Sequence, residues 1–219
     1  MGVTSKNKAE NKRRIDFVVC GVPRSGTNYI SAVMNKLGCE CGHEDWLQKD
    51  SWCTERETDD VWGDVNWHCA PYLYELPKDI PVVLIVRHPV NVINSLLATG
   101  DYKRWRNALR KEDEGYFFFN CKTKEEEANW FWRCWNNLIL SRSSIVLPID
   151  RPEELKSNLA ILLYILGKNK TYASKVSKVV DSTKKLHSRG PHPEIVTWWR
   201  LEKETRKLAR ELGYGRVLD

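Results

Sequence analysis

Residues Phe17 to Gly38 read F-V-V-C-G-V-P-R-S-G-T-N-Y-I-S-A-V-M-N-K-L-G, and few architectures accept such a stretch. An apolar, β-branched run gives way to a Gly/Pro/Ser turn, after which Ile30, Val33, Met34 and Leu37 recur at spacings of three and four: strand, loop, helix. A loop at that junction aims successive backbone N–H groups into one concavity, and the helix adds the positive end of its dipole. Gly21 and Gly26 let the chain turn without a Cβ in the way. Arg24 brings a guanidinium, and Ser25 and Thr27 bring hydroxyl donors. The stretch suits a phosphate.

It is not the common nucleotide-triphosphate loop, G-x-x-x-x-G-K-[ST], because Thr27 follows Gly26 directly and no Lys stands between them. The next strongly apolar run, Pro81 to Val86 (P-V-V-L-I-V), ends in Arg87-His88, where a Mg²⁺-binding NTPase usually carries an Asp. A metal-free anion site is expected. Cys39, Cys41, His43 and Cys53 form a cluster, but C-x-C-x-H lacks the C-x-x-C knuckle and partner pair of a zinc site.

At 219 residues the chain has room for one well-buried core, so a single α/β domain over residues 15–219 is expected, preceded by a flexible basic tail over 1–14. The net charge of +6 is compatible with an anionic ligand, an anionic polymer or a membrane surface, and does not choose among them. No apolar run approaches the roughly 18 to 20 residues that span a bilayer. The first fourteen residues lack a signal-peptide core, and Lys6 stands where a myristoylation motif wants Ser or Thr. Seven cysteines without an export signal favour free thiols. A cytoplasmic protein is expected.

The periodicity predicts strands at about Ile15–Cys20, within Val61–Tyr74, at Pro81–Val86 and at Ile145–Ile149. Helices are predicted to Leu37, from Pro89, over Glu125–Leu140, from Pro152 to Gly167, over Tyr172–Leu186 and from Pro193 to Gly213-Tyr214. Strands alternating with helices give a parallel, three-layer sheet flanked by helices. Cys39–Asp60 is polar, and its Gly42-His43-Glu44 run can bend back over the phosphate loop as an acid/base group. His68 stands between Trp67 and Cys69. A charged and aromatic insertion runs around 102–135; within it Trp132 and Trp135 are expected in the core, and Tyr116-Phe117-Phe118-Phe119 either line an acceptor pocket or cap the core.

Two of these loops together resemble the sulfotransferases that use 3′-phosphoadenosine 5′-phosphosulfate (PAPS). Pro23 to Thr27 match the family's P-[KR]-S-G-T phosphosulfate loop. Arg87 and Ser95, in R-H-P-V-N-V-I-N-S, match its 3′-phosphate motif of an Arg at a strand end and a Ser eight positions later. I-V-L-P-I-D-R-P-E-E-L, Y-I-L-G and E-L-G-Y follow in the family's order, so the resemblance spans about Ile15 to Tyr214.

The resemblance implies a P-loop-like sulfotransferase architecture. It also implies in-line sulfuryl transfer to an acceptor hydroxyl or amine, with release of adenosine 3′,5′-bisphosphate. Pro23, Arg24, Ser25, Gly26, Thr27 and Asn28 would hold the 5′ end, Arg24 also stabilising charge on the bridging oxygen. Arg87 and Ser95 would hold the 3′-phosphate, and Arg189-Gly190 resemble the segment that closes over it. G-H-E at 42–44 looks like the glutamate base of bacterial and glycan-modifying members, so the base is Glu44, with His43 second and His68 third. No metal is implied. The acceptor is a small molecule or a glycan, nucleic acid is not expected as a partner, and oligomeric state is open. Two other readings remain: a metal-dependent nucleotide or small-molecule kinase, and a non-catalytic binder of anionic glycan or nucleic acid.

Overall fold

A computed structural model of the chain describes residues 12–44, 53–55, 61–100, 121–168, 170–187 and 195–215. Its strands are β1 (Lys12–Arg14), β2 (Phe17–Gly21), β3 (Glu40–His43), β4 (Cys53–Glu55), β5 (Trp62–Val65), β6 (Val82–Val86) and β7 (Ile145–Pro148). Its α-helices are α1 (Thr27–Lys36), α2 (Pro89–Thr99), α3 (Lys124–Leu140), α4 (Pro152–Ile165), α5 (Lys170–His187) and α6 (Lys203–Glu211). The main sheet has the order β3-β5-β2-β6-β7, and every pairing in it is parallel.

Successive side chains of a strand point to opposite faces, and both faces of this sheet are covered. Val18 and Cys20 of β2, with Val82, Leu84 and Val86 of β6, pack under α2, α3 and α6; Trp132 and Trp135 of α3 lie in that layer, as expected from the sequence. Phe17 and Val19 of β2, with Val83 and Ile85 of β6, pack under α1, α4 and α5. That is why β2 and β6 read as unbroken apolar runs. The three-layer α/β architecture follows.

Three elements differ from the sequence expectation. Glu40–His43, within the polar connection, is a strand at the sheet edge. Lys12–Arg14, assigned to the tail, pair antiparallel with Cys53–Glu55. The last helix begins at Lys203 rather than Pro193. Ahead of it the buried Asn94 of α2 captures the backbone: its Oδ1 accepts from the N–H of Ile195 (2.9 Å) and Val196 (2.6 Å), and its Nδ2 donates to Val196 O (2.8 Å). Those bonds replace a helical ladder, so tertiary contact overrides the Pro193 start signal.

Among the described residues no helix is long and apolar enough to cross a membrane. Cys20, Cys39, Cys41, Cys69, Cys121 and Cys134 are free thiols.

Candidate active site

The chain leaves β2 for α1 on one face of the sheet and leaves the neighbouring β6 for α2 on the other. Loops that diverge in this way from adjacent parallel strands open a crevice at the strands' carboxyl ends, the usual ligand position of open α/β sheets. Gly21 and Ile85 are register partners there. A Cβ at Gly21 would stand 2.6 Å from Ile85 O, so only glycine lets the loop begin while the strands remain paired.

Ser25 N–H donates to Val22 O at 3.0 Å, and Gly26 enters α1 with φ 99° and no side-chain cap. Ile30 N–H makes an i→i−4 bond to Gly26 O; the N–H groups of Thr27, Asn28 and Tyr29 precede that bond and face the loop's mouth. Arg24 has φ 71°, in the left-handed region that non-glycine residues rarely occupy. Ser25 is wholly buried, and its Oγ has no hydrogen-bond partner within the protein. A buried hydroxyl of this kind ordinarily finds a partner, and here it stands in the loop between β2 and α1.

Arg24 and Ser95, expected at opposite ends of a ligand, meet directly: Arg24 Nε donates to Ser95 Oγ at 2.9 Å. Arg87 Nη1 reaches Arg24 O at 3.5 Å. Two guanidinium-bearing residues, one from each strand end, thus converge on one corner. Such a corner can hold two phosphate-like groups or one extended ligand bearing both.

The sheet's other strand ends bring in the candidate acid/base groups. His43 closes β3, and its Nε2 lies 3.0 Å from Thr27 Oγ1 and 3.8 Å from Glu44 Oε1. Glu44 has φ 59°, and its N–H donates to Val65 O, so the backbone turns sharply as it leaves the edge strand. His68, beyond β5, is partly exposed; its N–H donates to Asn66 Oδ1 at 2.8 Å and its ring lies 3.5 Å from Trp67, centroid to centroid. Pro23, Thr27 and Ser95 are buried and Asn28 is exposed. Arg189, Gly190, the aromatic run 116–119 and most of the 102–135 insertion lie outside the described residues. Among the described residues no three His, Cys, Asp or Glu side chains group as metal ligands.

A second polar cluster flanks the same corner. Asp150, just past β7, accepts from His88 N–H through Oδ2 (2.8 Å) and from the Tyr214 hydroxyl through Oδ1 (2.8 Å). His88 is buried, packs edge-on to Tyr214, and has its pKa lowered by desolvation, with Asp150 opposing the shift. Tyr214 is pushed far above its ordinary value by burial and by Asp150, which keeps its hydroxyl a donor. The sequence offers only weak signals for these contacts: an Asp at a strand end, and a Tyr after a helix-ending Gly213.

No protein-family model matches the sequence, and no curated protein sequence matches it. Solved structures do match: the chain has the fold of a sulfotransferase domain. The particular neighbour is the sulfotransferase domain from the Synechococcus PCC 7002 olefin synthase, similar over 95% of this chain and 98% of that one, with a TM-score of 0.53 and 15% identity.

Proposed function

We propose that the chain is a sulfotransferase that binds PAPS across the β2–β6 crevice and transfers its sulfuryl group to an acceptor hydroxyl or amine. The observation that carries this reading is the convergence of Arg24, Ser95 and Arg87 at two adjacent strand ends, within a fold shared with a sulfotransferase domain. A ligand with phosphosulfate at one end and a 3′-phosphate at the other needs two anion sites at a fixed separation. The buried Ser25 hydroxyl and the glycine-lined loop fit such a ligand.

When bound, PAPS supplies an activated sulfuryl group with a phosphate leaving group. Pro23 to Asn28 hold the 5′ end, the N–H groups at the start of α1 facing its phosphate. Arg24 offers its guanidinium to charge growing on the leaving oxygen. Arg87 and Ser95 hold the 3′-phosphate, with Arg189 and Gly190 as further contacts. Glu44 takes the acceptor's proton, His43 keeping Thr27 oriented from beside it; His68 is the alternative base on the neighbouring strand end. No metal enters this scheme. The acceptor is a small molecule or a glycan, contacted by the 102–135 insertion of a single 15–219 domain, and the site of action is the cytoplasm, where free thiols persist.

Calorimetric titration in EDTA tests the reading, with adenosine 3′,5′-bisphosphate and ADP as separate ligands. Selective binding of the bisphosphate, followed by transfer of label from PAPS to an acceptor, is expected. ADP or ATP binding that appears only with added Mg²⁺ overturns it in favour of a kinase.

A further inference from the structure

The corner that carries Arg87 is tied to the C-terminal end of the chain by contacts that the phosphate loop does not explain. Asp150 accepts hydrogen bonds from the backbone of His88, the residue after Arg87, and from the Tyr214 hydroxyl. His88 continues at φ −47° and ψ 126° into Pro89, the extended conformation that a following proline imposes. Its ring lies 5.5 Å from Tyr214 and 5.6 Å from Trp198. The His88 Nε2 atom is buried with no hydrogen-bond partner, so packing and the backbone bond, not a ring hydrogen bond, fix this residue.

We infer that Asp150 and Tyr214 are positioning residues for Arg87: they set the direction in which its side chain leaves β6, and so determine how strongly the site distinguishes a ligand with a 3′-phosphate from one without. The inference rests on the sulfotransferase reading above. An Arg side chain has many rotamers, and its fork gains most from a phosphate when the stem is already aimed. Asp150 does this by joining three chain segments at one carboxylate: the β6 end, the β7 end and the turn after α6. A lost Tyr214 hydroxyl leaves Asp150 with one fewer donor and lets the His88 backbone shift, while the phosphate loop keeps its own backbone bonds, Ser25 N–H to Val22 O and Ile30 N–H to Gly26 O.

The experiment measures dissociation constants for adenosine 3′,5′-bisphosphate and for AMP in wild type, Tyr214→Phe, Asp150→Asn and Arg133→Met. Arg133→Met is the control for general loosening, because Arg133 Nη1 donates to Glu202 Oε2 at 2.9 Å and ties α3 to the start of α6, and its ion pairs with Glu202 and Glu204 do not reach His88, Asp150 or Tyr214. Tyr214→Phe and Asp150→Asn are expected to lower bisphosphate affinity about tenfold and AMP affinity less than about twofold, so the ratio collapses. Arg133→Met is expected to lower the melting temperature and keep the ratio. Wild-type protein that does not prefer the bisphosphate overturns the nucleotide reading itself. Wild type that does prefer it, with an unchanged ratio in Tyr214→Phe and Asp150→Asn, overturns the positioning role alone; so does an equal loss of ratio in Arg133→Met.

Discussion

Gly26→Ala separates the backbone strain of the β2–α1 loop from its proposed ligand chemistry. At φ 99° an L-residue costs about 1–2 kcal/mol relative to glycine. The new methyl would stand 3.2 Å from Ile149 Cγ2 and 3.3 Å from Cγ1, a tight contact with the γ carbons of a β-branched side chain that is stiff at χ1, which adds about 1 kcal/mol. The sum, about 2–3 kcal/mol, lowers the melting temperature by about 4–12 °C in a chain of this size. Gly167→Ala provides the control. Its φ is 72° and nothing lies within 4 Å of the added carbon, so it carries the strain without the clash and costs about 1–2 kcal/mol. It ends α4, away from the crevice. Thermal unfolding reads the two costs, and calorimetry with adenosine 3′,5′-bisphosphate reads the site. Gly26→Ala should also weaken the bisphosphate by at least about tenfold, because the N–H groups at the start of α1 rotate with it and charge-assisted bonds are lost; Gly167→Ala should leave binding unchanged. Wild-type affinity in Gly26→Ala would refute the placement of the anion on this loop, and a Gly167→Ala protein as stable as wild type would refute the strain argument.

Arg87→Ala should weaken bisphosphate binding by about 10- to 150-fold, the worth of hydrogen bonds from a charged donor, and leave AMP nearly unaffected; an equal loss for both ligands would remove Arg87 from the 3′-phosphate. Glu44→Gln should cut turnover of labelled PAPS by about 10²–10⁴-fold while bisphosphate affinity holds, and a deeper loss in His68→Asn would move the base to the β5 end. The folded state holds His88 below its ordinary pKa through burial, against the pull of Asp150. The unfolded chain therefore binds more protons below about pH 6.5, and stability falls as pH drops from that value toward the folded pKa. Melting temperatures between pH 5 and 7, on the order of that window, should show a shallower slope in His88→Gln than in wild type; parallel slopes would show that His88 titrates alike in both states.

Parts of this arrangement are legible in the sequence because they depend on short-range pattern. β2 and β6 are buried on both faces, so their composition alone marks them as central strands. β3 has the sequence E-C-G-H and pairs on one side only; an edge strand has no need of an apolar run and carries no such mark. The start of α6 was masked by a competing signal, since Pro193 is a good first-turn residue and only Asn94, about a hundred positions earlier, decides against it. The same division runs through the site. Arg24 and Arg87 announce themselves by their loops, whereas the contacts of Asp150 with His88 and Tyr214 bridge 62 and 64 positions and leave no periodic trace.

What joins the two classes of residue is strand register. Arg24 and Ser95 are 71 positions apart, and no local rule brings them within hydrogen-bond reach. They meet because Gly21 pairs with Ile85, which sets the origin of the phosphate loop level with the end of β6. A slip of the parallel β2–β6 ladder by two residues would keep every side chain on its proper face and carry Arg24 roughly 6–7 Å from Ser95. Burial alone therefore does not fix the site's geometry. Gly21 contributes to the choice: its missing Cβ is what admits the carbonyl of Ile85 at that rung, and Val19, two positions back, would bring a bulky side chain to the same place. The glycine that opens the β2–α1 loop is thus also a determinant of the register that brings Arg24 to Ser95.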